Sequence, residues 1–551
     1  MAGGGGWGDE LARGNRSSIG LADVNVALTR PSSRREAMKS WCVTTMVAGI
    51  LFVLVPGCPA GETGARTDTR EQQGQPGRRV GWDAGRELRL LFVGDILLSR
   101  QVRAEMDRTG KNPWQGWPPL FHEADWVLGN LEGAVGVDAD CVKGLEPNLC
   151  FAIPEESLKV LRQAGFRALG IANNHSGDLG EAGLAATRQA LTRAGLEALT
   201  FDGSPTFHRF GPVTVGVVAF SMVAGAGSQR VAVPSPLLRQ KLRLARRLAN
   251  LVVVTVHWGS ELLEWPNAEQ RRAADWLVRH GADLVIGHHP HVIQPMECLQ
   301  GKPVFHSLGN HLFDQKYPAS KEGILADCRI AHGALTCGVI ATQTPVGSAF
   351  PQIREQLPAG MDRAWTPNAC AVSLGPGFEV AGQVLRPEAS ESGMAHGDGK
   401  ISLEALQDGK VLWKTQPMEL LAVDAGRLAG PDRPELLVTL ERHPSPLDRE
   451  QSPRPYVYEV TPKGLVARWR GTALAWPLID AALLPGKTGV LCALHRGDSY
   501  LVPNPGTSQT RAAAYRWNGF GFSGVDDPAI INQCSEFWEV PAPLSPEPNR
   551  F

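Results

Sequence analysis

Between residues 87 and 346 the chain alternates short continuous apolar runs with stretches whose apolar positions recur at helical spacing. The runs 87–94 (ELRLLFVG), 126–129 (WVLG), 168–171 (ALGI), 213–220 (VTVGVVAF), 251–256 (LVVVTV), 283–286 (DLVI) and 303–305 (PVF) read as strands. The run 251–256 is apolar throughout and predicts a strand buried on both faces. Helices are predicted at 158–165, with Leu158, Leu161 and Ala164 on one face, and at 184–194, closed by Gly195. Two more are predicted at 240–249 and 269–280; in the latter Ala273, Trp276 and Leu277 share a face. The helix at 240–249 is basic and reads as a solvated face. Strands that alternate with helices predict an α/β sheet.

Beyond this region the pattern changes twice. Residues 347–400 are rich in Pro and Gly and weakly patterned, which predicts a linker or a long insertion. Residues 401–551 carry short apolar runs broken by turns, which predicts a β-rich module. Within it, segments 413–440 and 476–494 form rough repeats of Trp, apolar strand, Asp, turn and strand, similar to FG-GAP propeller blades. Only Asp424, Asp432 and Glu435 in one repeat and Asp480 in the other remain of an acidic calcium loop, so no calcium site is predicted. A propeller-blade-like stack and a β-sandwich both fit this pattern.

The N-terminal region has a different character. Residues 1–37 are rich in Gly and Arg without periodicity, as in a disordered extension or one preceding the true start at Met38. Arg34, Arg35 and Lys39 precede the apolar run 41–55, too short for a membrane span but suited to a signal-peptide core. Residues 38–58 therefore predict a signal peptide. Its end, Val-Pro-Gly-Cys, resembles a lipoprotein cleavage site with Cys58 as the acylated residue, although Pro56 departs from that pattern. A polar tether, 59–86, follows. The expectation is export to the cell envelope, periplasm or outer surface, with membrane attachment through Cys58 or the signal segment.

Composition narrows the class. With 43% hydrophobic and 20% charged residues the chain is globular, and its net charge of −1 provides no whole-chain attraction for nucleic acid. Of the 10 cysteines none shows CxxC spacing. Cys141 and Cys150 flank a short loop, and Cys328 and Cys337 lie on two runs joined by a hairpin; each pair reads equally as a bridge or as free thiols.

Candidate chemistry gathers at the strand ends. Five strands in succession end in metal-ligand residue types: Asp95, Asn130 with Glu132, Asn174 with His175, His257, and His289 with His291. In an α/β sheet these ends converge on one edge. In an extended segment His289 and His291 would project to one face and His288 away from it. Carboxylate, amide and imidazole donors suit Mn, Fe, Zn or Mg.

The segments GDILLSR (94–100), NLE (130–132), ANNHSGDLGEAG (172–183), HWGSE (257–261), GADLVIGHHPHVIQ (281–294) and SLGNHLFDQ (307–315) together resemble the bacterial capsule-synthesis, or poly-γ-glutamate, CapA family (PGA_cap). That family is similar to the calcineurin-like metallophosphoesterases. The resemblance, over about residues 88–346, implies a four-layer αββα sandwich with a dinuclear site for divalent metal at the sheet edge. It maps metal ligands onto Asp95, Glu132, Asn174, His257, His289 and His291. The superfamily's Asp-x-His becomes Asp95-Ile96-Leu97 here, so one imidazole is missing. His175 is the expected proton donor, oriented by Asp178, with Glu261 as an alternative acid or base; Asn310 and Asp314 are expected to line the site.

The domain expectation is a metallophosphatase-like region at 87–346, the linker at 347–400 and the β-rich module at 401–551. Two functions follow. One is an exported metal-dependent hydrolase or transferase acting on an anionic surface polymer or its precursor; the other is a noncatalytic envelope scaffold that binds such a polymer.

Overall fold

The computed structural model describes residues 87–541 apart from 203, 358–369, 389–398, 445–450, 472–473, 475–477 and 498–508. The N-terminal extension, the signal-like segment with Cys58 and the tether up to residue 86 lie outside the described residues.

Two sheets face one another. In the first, the parallel strands Leu88–Ile96, Trp126–Leu131, Ala168–Gly170 and Glu197–Leu199 are extended by the antiparallel hairpin Glu322–Ala331 and Ala334–Gln343. In the second, the parallel strands Val213–Ser221, Leu251–His257, Leu284–His288 and Lys302–Leu308 lie between antiparallel edges Thr206–Phe210 and Ile293–Leu299. The inner faces bury Leu90, Phe92 and Leu128 of one sheet against Val217, Val253 and Ile286 of the other.

Helices cover both outer faces. Arg100–Thr109, Leu158–Ala164 and Gly180–Arg193 pack on the first sheet, through residues such as Val102, Leu161 and Leu191. Pro236–Leu248 and Ala268–Arg279 pack on the second, through Leu242, Ala245, Ala273 and Leu277. The layers are therefore helix, sheet, sheet, helix, because most central strands are apolar on both faces and need cover on each.

The stretch expected as a linker carries strands of its own. Gln352–Ile353 and Val372–Ser373 complete the first sheet, and Phe378–Val380 and Gln383–Pro387 open the β-rich module. Their shortness hides any period. Three antiparallel four-stranded sheets follow in chain order, spanning 378–414, 420–470 and 478–525. The first two share one core and the second and third another; the helix Pro528–Trp538 covers the third.

The basic helix Pro236–Leu248 is not a solvated face: the β-rich module lies against it. Arg243 Nη1 is 2.7 Å from Asp480 Oδ2, its Nη2 is 3.3 Å from Asp424 Oδ2, and Arg247 Nη2 is 2.7 Å from Asp424 Oδ1. The two aspartates of the sequence repeats thus occupy equivalent places on successive sheets and meet one arginine.

All eight cysteines of the described residues pair: Cys141–Cys150, Cys298–Cys370, Cys328–Cys337 and Cys492–Cys534. Cys328 and Cys337 are direct cross-strand partners in the hairpin register.

Candidate metal centre

The parallel strands of both sheets end on one edge. Register sets Asp95 beside Asn130 and His257 beside His288. Gly94 is required for the approach: a Cβ there would stand 1.9 Å from the Gly309 carbonyl oxygen. Asp95 is fully buried. Its Oδ1 accepts from Asn130 Nδ2 at 2.8 Å and lies 3.3 Å from His288 Nδ1; its Oδ2 lies 3.2 Å from His291 Nδ1. Burial alone would raise this carboxyl, but His288 and His291 outweigh it and hold it well below the usual carboxylate range.

Glu132 follows the second strand and is pinned by its backbone N–H, which donates to Ile96 O at 2.9 Å. Its carboxylate is fully buried, and neither oxygen accepts a hydrogen bond. Three imidazoles surround Oε1: His291 Nε2 at 3.4 Å, and His175 Nε2 and His257 Nε2 each at 3.9 Å. A buried carboxylate met by an imidazole no closer than 3.4 Å is only partly compensated for the water it has lost. A cation among these donors would supply the rest, so the residues present fit a divalent metal. Two ligand sets share this residue: Asp95, Glu132 and His257, and Glu132, His289 and His291, with donor atoms in each set within 4.8 Å of one another.

The surrounding histidines differ in charge. Burial, reinforced by the neighbouring imidazoles, pushes His257 well below its ordinary value and His289 down to about 4, leaving both neutral as lone-pair donors. Burial also opposes charge on His291, but the carboxylates of Glu132 and Asp95 outweigh it and raise His291 well above the ordinary value. Asn174 joins through its Oδ1, 2.7 Å from His257 Nε2. Asn173, not singled out in the sequence, links the layers: its Nδ2 donates to Asn130 Oδ1 at 3.1 Å and Leu131 O at 2.8 Å.

His175 and Asp178 form a pair at the rim, Nδ1 to Oδ2 at 2.9 Å. The structure also places Phe151 here, its ring stacked on His175 with centroids 3.8 Å apart. Where the superfamily pattern would put an imidazole, Leu97 is buried in an apolar group with Phe151 and Phe313. Asn310 Oδ1 is 2.9 Å from His291 Nδ1, while Asp314 pairs with Arg100.

Three expectations need correction. Glu261 is exposed and stands outside this cluster, because Gly259, at φ 88°, turns the chain outward after Trp258. The segment around Pro290 is not extended: His289 and His291 have φ of 97° and 58°, so strand alternation does not apply. Nor does His288 point away: it ends the strand on the face of Leu284 and Ile286 and faces Asp95, and the positive φ of His289 and His291 turns their rings toward the same carboxylates.

Residues 89–315 match the family described as bacterial capsule synthesis protein PGA_cap. Over 286 residues the chain is 30% identical to the capsule biosynthesis protein CapA of Bacillus anthracis, covering 48% of this chain and 69% of that protein. The chain belongs to the PGA_cap capsule-synthesis family. The PGA biosynthesis protein CapA of Bacillus subtilis (strain 168) is 31% identical over 249 residues. That match covers 42% of this chain and 65% of the relative, just under two thirds of its length. Among solved structures, a phosphatase of Mycoplasma pneumoniae is similar at 11% identity and a TM-score of 0.30, covering 48% of this chain and 91% of that one. Zinc-complexed Vps29 of Entamoeba histolytica is similar at 15% identity and a TM-score of 0.22, covering 48% and 98%. The PGA_cap match includes every candidate ligand from Asp95 to His291 and none of the β-rich module.

Proposed function

We propose that the chain is an exported, metal-dependent hydrolase or transferase that acts on an anionic surface polymer such as poly-γ-glutamate, or on its phosphorylated or amide-linked precursor. The observation that carries this reading is Glu132: a buried carboxylate without hydrogen bonds, shared by two ligand sets. Asp95, Glu132, Asn174 and His257 would hold one divalent ion, and Glu132, His289 and His291 a second. When bound, such a pair supplies charge neutralisation for the attacking and leaving oxygens.

The chain's own residues do the rest. Asp178 accepts from His175 Nδ1–H, so the imidazolium form of His175 would present Nε2–H as the proton destined for the leaving group and return to the Nδ1–H tautomer once it is given up. Leu97, Phe151 and Phe313 exclude water from one wall. We assign the catalytic unit to residues 87–346 and a polymer-facing role to the β-rich module. The four disulfides support export; the signal segment with Cys58 is the proposed route to the envelope.

A noncatalytic scaffold is the second reading, favoured by the apolar Leu97 in place of an imidazole. Metal analysis of the purified chain, with assays on model phosphodiesters and γ-glutamyl amides after adding Mn²⁺, separates the two. The enzyme reading expects about two equivalents of metal and turnover on one substrate class. Under about one equivalent with no turnover selects the scaffold.

A further inference from the structure

We propose that the loop closed by the Cys141–Cys150 disulfide is a clamp that sets the tautomer and ring plane of His175, with Phe151 as its positioning residue. The loop grips Asp178 at both of its ends. Val142, next to Cys141, donates its backbone N–H to Asp178 O at 2.9 Å. Phe151, next to Cys150, donates its backbone N–H to Asp178 Oδ2 at 2.8 Å. That same Oδ2 is the atom 2.9 Å from His175 Nδ1. The disulfide therefore ties together the two residues whose neighbours hold Asp178, and Asp178 holds the imidazole.

The ring of Phe151 acts in parallel. It lies nearly parallel to His175, 14° between planes, and the Arg100 guanidinium sits 4.5 Å from its centroid. The stacked imidazole occupies one face of Phe151, which leaves the other to Arg100. An imidazole held by one carboxylate oxygen and one aromatic face has a single productive orientation, and misplacement of a reacting group by about 1 Å costs on the order of 10²-fold in rate. Both cysteines line an open cleft of about 1000 Å³, Cys141 half-buried and Cys150 buried.

The inference rests on the reading of His175 as proton donor, so its test includes a signal independent of turnover. In full-length protein with ¹⁵N-labelled histidine and Zn²⁺, the wild type should show His175 protonated at Nδ1 toward Asp178. Cys141→Ser/Cys150→Ser should replace that signal by mixed tautomers and lower kcat at least ~10-fold with little change in KM. A dithiol reductant, which takes the two cysteines to thiols as it closes to its own disulfide, should reproduce the change in wild type. Cys492→Ser/Cys534→Ser, in the β-rich module, should leave the His175 signal unchanged. Phe151→Leu keeps the bridge and the amide; it should retain the tautomer, lose the ring-current shift and lower kcat less. An unchanged His175 spectrum in both the Cys141/Cys150 variant and the reduced wild type overturns the clamp. A changed spectrum in a protein without turnover keeps the clamp and removes the proton-donor reading. If the serine variant fails to fold, the reduced wild type and Phe151→Leu decide.

Discussion

Glu132 and His175 carry opposite parts of the proposed chemistry, and single substitutions should separate them. His175→Gln is expected to lower kcat by ~10²–10⁴-fold while metal content stays at the wild-type level. Loss of bound metal in that variant, read by elemental analysis, would make His175 a ligand instead. Glu132→Ala should abolish metal binding and turnover together, since both ligand sets lose their shared member. These residues were legible because carboxylates and imidazoles recur at the ends of apolar runs, which a core has no use for. The place of His288 was not, because the strand runs on through it, on the face of Leu284 and Ile286, and the chain then turns with positive φ at His289 and His291, which strand periodicity cannot foresee. Such backbone costs about 1–3 kcal/mol per residue and persists where a site over-determines it. Glu261 was misplaced for the same reason, through the turn at Gly259. Phe151 gave no signal: an isolated aromatic near a loop cysteine looks like ordinary core.

Among the elements, the helix Pro236–Leu248 shows how a local pattern misleads. Its arginines read as solvated because their partners, Asp424 and Asp480, lie 181 and 237 residues away. Arg243→Met should leave buried Asp480 without its cation, Asp424 keeping Arg247, and destabilise the protein by about 3–5 kcal/mol, measured by denaturant unfolding; a change under ~1 kcal/mol would show that the seam does not depend on this pair. The short strand Asn310–Leu312 supplies a pH-dependent counterpart. Its His311 is buried among Trp114, Trp117, Phe121 and Phe166, and its Nε2 accepts from Trp114 Nε1 at 2.9 Å. Burial pushes this imidazole down to about 3. Because the folded value lies below the unfolded one near 6.5, the stability is intact above pH ~6.5 and falls as pH drops toward 3, by roughly 1.4 kcal/mol per unit. His311→Gln keeps an acceptor for Trp114 and removes the titration. Its stability relative to wild type should therefore rise steadily below pH ~6.5; parallel pH profiles would refute the assignment.

On the scale of the whole molecule, two facing sheets end their parallel strands on one edge, and that edge gathers residues spread from Asp95 to Asn310. The helix–sheet alternation made the class readable, since continuous apolar strands need helices on one side and a second sheet on the other. The way the β-rich module docks was unreadable, because its contacts join segments far apart in the chain: apolar packing of Phe207, Leu244 and Leu248 against its first two sheets and ion pairs from the helix Pro236–Leu248. Membership of the PGA_cap family sets the capsule context, while the chemistry rests on the cluster around Glu132. Crystals of the full chain grown with Mn²⁺ and measured at the manganese absorption edge test that cluster most directly. Two anomalous peaks are expected, one among Asp95, Glu132 and His257 and one among Glu132, His289 and His291; a map without density beside Glu132 would contradict the account.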